Sequence, residues 1–169
     1  MNYWKRTALF GLTISLLLAL IFALASCRIS EPAAIGTTAP DFTVSDGQKT
    51  VTLSQFRGKP VLLNFWATWC PPCVEEVPSL VALQQQVGDK VTIVAVSMDQ
   101  DEAAYKAFTA KHMPGIVTVR DAEHKSSSSY GTFAYPESFL IGRDGKIQRK
   151  FIGAVNWTSP EMIDFFKKL

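Results

Sequence analysis

Near the middle of the chain lies the stretch Val61-Leu62-Leu63-Asn64-Phe65-Trp66-Ala67-Thr68-Trp69-Cys70-Pro71-Pro72-Cys73. Its first half is apolar at nearly every position, as in a strand that is buried on both faces, and a helix-like pattern follows its second half. Two cysteines separated by two residues therefore stand where a strand passes into a helix. A helix N-terminus favours a thiolate, so the pair is predicted to be redox-active rather than metal-binding.

Cys70 is expected at the N-cap position of that helix, as the exposed attacking thiolate, with Cys73 as the buried resolving thiol. Pro71 suits the first helical turn, but Pro71 and Pro72 remove two N–H donors. The amide and thiol of Cys73 must then do most of the work of stabilising the Cys70 sulfur. The redox disulfide is expected to join Cys70 and Cys73.

The number of cysteines agrees with a chemical role for this pair. The chain has three cysteines, and if Cys27 is modified, no structural disulfide is available elsewhere. A structural disulfide of Cys70 with Cys73, or half of a zinc site, is the alternative, but zinc needs about four ligands. No other cysteine pair exists, and His112 and His124 stand alone. Neither a metal nor another cofactor is therefore expected.

The N-terminus carries a membrane signal. Lys5 and Arg6 form a positive region, and residues 7–26 hold no charged side chain. The segment ends in Leu24-Ala25-Ser26-Cys27, similar to a bacterial lipoprotein signal in which Cys27 is lipidated after cleavage of residues 1–26. An uncleaved transmembrane anchor is the first alternative, because about 20 apolar residues span a bilayer, and simple secretion is the second. Either membrane form faces the periplasm or the cell exterior by the positive-inside rule.

The rest of the chain indicates one domain. A length of 169 residues with 47% hydrophobic residues is enough for a substantial core. Apart from Lys5 and Arg6, 15 basic residues balance 15 acidic ones, so nothing in the charge favours nucleic acid as a partner. Residues 27–39 are mostly small and polar, which predicts a flexible tether in front of a domain over residues 40–169.

Strand and helix patterns alternate through this domain. Two Asp-Gly pairs, at 46–47 and 144–145, predict the turns of two hairpins. This order predicts an α/β fold whose sheet has helices on both faces. The predicted elements are strands 41–44, 50–53, 61–66, 91–96, 116–119, 138–141 and 147–152, and helices 71–87, 102–111, 122–130 and one that starts at 160.

The stretch Asn64 to Cys73 resembles the thioredoxin superfamily. Together with its flanks it resembles the membrane-tethered thiol–disulfide oxidoreductases of the ResA/TlpA/DsbE type, relatives of the AhpC/TSA and Redoxin proteins, over residues 36–169. The resemblance implies a thioredoxin-like fold with a central mixed sheet, an N-terminal β-hairpin and a central insertion between Val96 and Pro136. It also implies a monomeric enzyme that reduces disulfides of proteins such as apocytochrome c, in cytochrome c maturation, with a membrane electron donor.

Several site residues follow from the resemblance. Pro136 matches the cis-proline of the family, whose loop faces the dithiol and pairs with substrate backbone; an ordinary trans proline that opens a strand is the alternative. Tyr135 and Pro71 are expected to contact substrate with it. Trp69 is expected to shield the thiolate and meet the partner, whereas Trp66 is expected in the core.

Glu76 is the expected proton-transfer group. Thioredoxin itself has a buried aspartate under the dithiol, and here the matching position is Asn64, which cannot transfer protons. Glu76 lies three residues after Cys73 on the same helix face, and it matches the acid of the tethered, reducing subfamily. Burial would raise its pKa and let it exchange a proton with Cys73. A solvated first-turn glutamate, as is expected for Glu75, is the alternative.

Two other functions fit the same fold. Ala39-Pro40-Asp41-Phe42 also looks like the opening of peroxiredoxins, but a thiol peroxidase usually has a distant resolving cysteine. A copper chaperone or assembly module would need cysteines one residue further apart and a late histidine, and no histidine follows Pro136. The tether and the acidic helper favour a reductant, although sequence does not fix the reduction potential that sets the direction.

Overall fold

The structure, a computed structural model, describes residues 33–169. The expected signal peptide or anchor over residues 1–26 and the expected lipidation site Cys27 lie outside the described residues. Within residues 33–169, no helix is both long enough and apolar enough to cross a membrane.

The described residues form a five-stranded mixed sheet and a separate hairpin. The hairpin consists of β1 and β2, and the sheet has the strand order β5-β4-β3-β6-β7, in which β3, β4 and β5 are parallel and β6 and β7 run antiparallel to their neighbours. The elements are β1 (Thr43–Ser45), β2 (Thr50–Thr52), β3 (Val61–Trp66), α1 (Pro71–Val87), β4 (Thr92–Ser97), α2 (Glu102–His112), β5 (Val117–Arg120), α3 (Lys125–Ser129), β6 (Glu137–Ile141), β7 (Ile147–Ile152) and α4 (Pro160–Lys167).

Helices cover both faces of the sheet. Because β3, β4 and β5 are parallel neighbours, right-handed crossovers place α1 and α2 on the same face. Trp66 of β3 points to that face, with its ring 5.3 Å from Phe108 of α2, and Trp157 joins α4 to α1 there. Phe65 points the opposite way, and its ring lies 5.4 Å from that of Tyr130, directly after α3. The predicted thioredoxin-like fold is confirmed.

The position of the site follows from the burial of β3. All six residues of this strand are buried, because it lies in the middle of the sheet and is covered on both faces. Such a strand holds the residues that follow it in a fixed position, and those residues are 67–73. Between Val96 and Pro136, where the resemblance implies a central insertion, the chain forms α2, β5 and α3.

The folded part of the chain begins before residue 40, its predicted start. Residues 36–39 are not free, because they pair with the start of β7. The Gly36 N–H donates to Ile147 O at 2.7 Å, and the Ile147 N–H donates to Thr37 O at 2.9 Å. An edge strand has unpaired N–H and C=O groups, and this segment satisfies some of them. Residues 36–39 therefore belong to the folded unit.

One helix is shorter than its predicted range of 122–130. It covers only Lys125–Ser129, and His124 before it has a left-handed backbone with φ 56°. The Asp121 carboxylate accepts hydrogen bonds from Ser126 N at 2.7 Å and Ser126 Oγ at 2.6 Å. These bonds hold the preceding residues in a turn rather than in a helix. The other predicted bounds agree with the observed ones within two residues.

Candidate active site

The two cysteines lie at the N-terminus of α1 and form a disulfide. Cys70 is the N-cap residue, and Pro71 and Pro72 occupy the first turn with exposed rings. Neither proline has an N–H, so the first backbone amide that can donate a hydrogen bond to the sulfur is that of Cys73. It donates to Cys70 Sγ at 3.3 Å. The predicted N-cap position is confirmed, and the helix end directs its free amide at the sulfur.

Cys70 is less accessible than the sequence suggested. In the disulfide form Cys70 is 6% exposed and Cys73 is 1% exposed. Cys70 Sγ lies 3.5 Å from the carbonyl oxygen of Tyr135, so the loop that carries Tyr135 covers it. The expectation of an exposed Cys70 is therefore wrong for this state. Cys70 is nevertheless the more exposed of the two residues, which favours it as the one that a substrate reaches first.

The loop opposite the disulfide contains a cis peptide bond between Tyr135 and Pro136. β6 starts directly after it at Glu137, a buried carboxylate whose Oε1 lies 2.8 Å from Lys150 Nζ. Thr132 Oγ1, at the other end of the loop, donates to Glu137 Oε2. One carboxylate thus fixes both ends of the loop, and the Tyr135 carbonyl is held against the disulfide.

The residues just before Cys70 are fixed by a second buried carboxylate. Asp99, after the end of β4, accepts hydrogen bonds from Thr68 N at 3.1 Å and from Thr68 Oγ1 at 2.6 Å. Trp69 follows and is 58% exposed, with its ring 6.1 Å from that of Tyr135 in an edge-to-face arrangement. Trp69, next to Cys70 in the sequence, therefore packs against Tyr135 of the proline loop.

Glu76 is buried in α1, three residues after Cys73. Its Oε1 accepts from Val155 N at 3.2 Å and Trp157 Nε1 at 2.6 Å, and its Oε2 accepts from Asn64 Nδ2 at 3.3 Å. Burial is the largest influence and raises the pKa of the Glu76 carboxyl to about 7, although the three hydrogen bonds act to lower it. Near neutral pH the group is therefore present both as acid and as carboxylate, which suits proton exchange.

An open cleft connects Glu76 with solvent. Its volume is about 460 Å³, and besides Glu76 its lining includes Glu75 and Ser79 of α1 and Val155 and Asn156 of the loop before α4. A proton held by Glu76 can exchange with bulk water through this cleft. Glu75 is exposed, in agreement with the solvated position expected for it.

Exposed apolar side chains gather around the disulfide. Among residues 33–169, the large apolar side chains with high exposure are Ile35, Trp69, Phe133 and Ile152. Phe133 lies three residues before Pro136, and Ile152 of β7 pairs with the residue that follows Pro136. We call Trp69, Phe133 and Ile152 the apolar rim. Grouped exposed apolar residues are typical of an interaction surface, and the rim residues belong to segments next to the site: Trp69 precedes Cys70, and Phe133 and Ile152 lie beside the proline loop.

Four residues of this region were not predicted from the sequence. Asp99 could have been predicted, because polar residues at the carboxyl end of a parallel strand are often part of a functional site. Phe133 could also have been predicted, since it lies in the proline loop that was expected to face the dithiol. Ile152 and Trp157 could not, because their positions depend on how β7 and the loop before α4 pack against distant parts of the chain.

A disulfide at a helix N-terminus, a proline loop against it and a buried acid on the same helix define a thiol–disulfide oxidoreductase of thioredoxin-like fold. Residues 34–164 match the Redoxin family, so the chain belongs to that family.

Individual relatives agree with this class. The thiol-disulfide oxidoreductase ResA of Bacillus thuringiensis (strain Al Hakam) is 36% identical over 141 residues, which are 82% of this chain and 80% of that protein. The thiol:disulfide interchange protein DsbE of Pseudomonas aeruginosa is 34% identical over 128 residues, which are 73% of this chain and 69% of that protein. The crystal structure of a putative DsbE from Chlorobium tepidum has a TM-score of 0.70 at 28% identity and covers 80% of this chain and 94% of that one. The predicted ResA/DsbE-type relationship is confirmed.

Proposed function

We propose that this oxidoreductase acts as a reductant of protein disulfides on the outer side of the membrane, with Cys70 as the attacking and Cys73 as the resolving cysteine. The observation that carries the proposal is Glu76, a buried carboxyl on the helix of the dithiol with a pKa raised to about 7. Because an acid–base group serves both directions of the exchange, the reducing direction is supported by the resemblance to the tethered, reducing subfamily. A group that takes up and releases a proton near neutral pH is useful when the buried thiol of Cys73 must become a nucleophile.

The reaction balances without any other cofactor. The Cys70 thiolate attacks one sulfur of the substrate disulfide, the substrate S–S bond breaks, and the released substrate thiolate takes a proton from solvent. Cys73 then transfers its proton to Glu76, and its sulfur attacks Cys70 Sγ in the mixed disulfide. The Cys70–Cys73 disulfide forms, and the second substrate thiolate leaves and is protonated, with Glu76 returning its proton through the solvent-filled cleft. Two electrons and two protons pass to the substrate.

Substrate binding is assigned to the residues around Cys70. The exposed ring of Trp69 packs edge-to-face on the ring of Tyr135, and the carbonyl oxygen of Tyr135 lies 3.5 Å from Cys70 Sγ. Pro71 is exposed in the first turn, whereas Pro136 in the opposite loop is buried in the disulfide form, so we expect substrate to meet Pro136 through the loop that it shapes. Because the rim around these residues is apolar, we expect protein substrates to present apolar side chains beside their cysteine.

Membrane attachment completes the proposal. Residues 1–26 act as a lipoprotein signal peptide, or alternatively stay as an anchor, and lipid on Cys27 holds the domain at the membrane through the residues up to 35. The support is the pattern Leu24-Ala25-Ser26-Cys27 behind the positive pair and the uncharged segment. A membrane electron donor would return the dithiol to the reduced form. The resemblance to the ResA/TlpA/DsbE type supports apocytochrome c as one substrate and a monomeric state.

The test uses the full chain in detergent micelles, reduced, freed of reductant and mixed with a disulfide-bonded peptide. We expect a stoichiometric loss of the peptide disulfide, which Cys70→Ser abolishes. Cys73→Ser should accumulate a mixed disulfide through Cys70, seen by mass spectrometry. A chain that leaves the peptide oxidised but consumes hydrogen peroxide with a thiol donor would be a peroxidase instead. Tight, stoichiometric Cu(I) binding without any disulfide reduction would support the copper-chaperone alternative.

A further inference from the structure

The two oxygens of the Glu76 carboxyl have different surroundings. Oε1 accepts two N–H groups, from Trp157 Nε1 at 2.6 Å and from Val155 N at 3.2 Å. Oε2 accepts one long hydrogen bond, from Asn64 Nδ2 at 3.3 Å, and that amide also donates to Ser138 Oγ at 2.9 Å. An oxygen that already accepts two N–H donors is the poorer place for a proton, because the proton would displace one of them.

We propose that Trp157 is a positioning residue for Glu76: its indole N–H, with the Val155 amide, holds Oε1 so that the carboxyl takes up and releases its proton at Oε2. The inference rests on the proposed function, in which Glu76 exchanges a proton with Cys73. It assigns a role to a residue 81 positions away along the chain.

The construction of the loop before α4 supports this role. Trp157 is fully buried, and its ring packs 5.0 Å from Phe151 and 5.9 Å from Phe166. Ser79 of α1 fastens the loop to the helix of Glu76, because its Oγ accepts from Trp157 N at 3.3 Å and lies within hydrogen-bonding distance of Val155 O. The position of the indole N–H is thus fixed by packing and by backbone hydrogen bonds that do not involve the Glu76 carboxyl.

The groups that contact Glu76 from the sheet and from the loop before α4 carry no charge. From the sheet it meets Asn64 and Ser138, and from the loop before α4 it meets Val155 and Trp157, all uncharged. On α1 the nearby titratable groups are Cys73, one turn earlier, and Glu75, which is exposed. In the oxidised protein the cysteines do not titrate. A change in the protonation of Glu76 on replacing Trp157 is then due to the lost N–H donor.

The test compares Trp157→Phe with a matched control. Trp66 is also buried and also stacks on a phenylalanine, but its Nε1 has no hydrogen-bond partner among residues 33–169. Trp66→Phe therefore removes the same volume without removing a donor from any carboxylate. The readout is the ¹³C shift of the Glu76 carboxyl across pH 4–10 in the oxidised full chain in micelles, with Glu76→Gln to assign the signal.

We expect Trp157→Phe to raise the titration midpoint of Glu76 by roughly one to two pH units, as for loss of a hydrogen bond to a charged group, and Trp66→Phe to leave it unchanged. The pH–rate profile of disulfide reduction should move in the same direction in Trp157→Phe. Asn64→Ala should raise the midpoint less than Trp157→Phe does, because its hydrogen bond is longer. Equal midpoints in the two tryptophan variants, or a larger effect of Asn64→Ala, would overturn the inference.

The test also covers a Trp157→Phe variant that does not fold and a wild-type protein that reduces no disulfide. If Trp157→Phe does not fold, Ser79→Ala keeps the indole and loosens the loop that carries it. A raised midpoint in that variant supports the inference, and an unchanged one overturns it. If the midpoints move as expected but wild type reduces no disulfide, the proposed function fails while the inference stands, because the titration does not depend on activity.

Discussion

Replacing Glu76 by glutamine should remove both a proton acceptor and a pH-dependent cost to stability. Glutamine keeps the size and most of the polarity of the side chain, so Trp157 and Val155 retain a hydrogen-bond acceptor. It cannot take the proton of Cys73. Since positioned general bases contribute roughly 100-fold or more, we expect disulfide reduction near pH 7 to slow by about that factor. Stopped-flow reduction of a model disulfide between pH 5 and 9 measures it.

The effect on stability has a definite sign. The pKa of Glu76 is about 7 in the folded protein, against an ordinary value of 4.5, so the folded state binds this proton more tightly than the unfolded chain does. The stability that comes from the neutral carboxyl is therefore fully present below pH 4.5 and is lost as the pH rises through 7. A gap of this size corresponds to about 3 kcal/mol. The free energy of unfolding of wild type, relative to Glu76→Gln, should fall by about that amount between pH 4 and 8.

Glu75→Gln is the matched control, because Glu75 is the exposed neighbour on the same helix. It should leave both the pH–rate profile and the pH dependence of unfolding as in wild type. Profiles of Glu76→Gln that superimpose on those of wild type would refute the reasoning and make Glu76 a carboxylate without a role in proton transfer.

Three further predictions concern the cysteines and the apolar rim. After reduction, brief iodoacetamide treatment should label Cys70 before Cys73, as measured by mass spectrometry; labelling of Cys73 first would reverse the assigned roles. Cys27→Ala should abolish incorporation of a fatty-acid analogue, whereas a wild-type chain without lipid that retains residues 1–26 would have an anchor instead. Phe133→Ser combined with Ile152→Ser should slow reduction of a disulfide-bonded protein about tenfold and leave a small aromatic disulfide unaffected, because only the protein covers the rim.

Ile35→Ser is the control for the rim. Ile35 is 66% exposed, but it precedes Gly36, which pairs with Ile147 at the opposite end of β7 from Ile152. The strand rises about 3.3 Å per residue, so these two ends are on the order of 15 Å apart. Equal slowing by Ile35→Ser would mean that general surface polarity, rather than the rim, controls the rate.

Most of the fold could be predicted from local patterns in the sequence. The buried strand 61–66, the capped helix after it and the two Asp-Gly hairpins are properties of neighbouring residues, and all of them are present in the structure. The pairing of residues 36–39 with β7 escaped prediction because small, polar residues carry no strand pattern, and their N–H and C=O groups are used only once the distant edge exists. The resemblance implied that the Pro136 loop faces the dithiol, but not that the Tyr135 carbonyl comes within 3.5 Å of Cys70 Sγ and covers it.

In the candidate site, too, features set by neighbouring residues could be predicted, and features set by distant packing could not. The proposed proton-transfer role of Glu76 follows from the resemblance and from its spacing after Cys73, because positions three apart on a helix share a face. The sequence predicted that burial would raise the pKa of Glu76 but not by how much, because the value depends on the extent of burial and on donors 79 and 81 residues further along the chain. Spacing within one helix thus puts Glu76 and Cys73 on one helix face, whereas burial and the hydrogen bonds from the loop before α4 set the balance between acid and carboxylate. A substitution at Trp157 should therefore change the chemistry of the site without touching the motif itself.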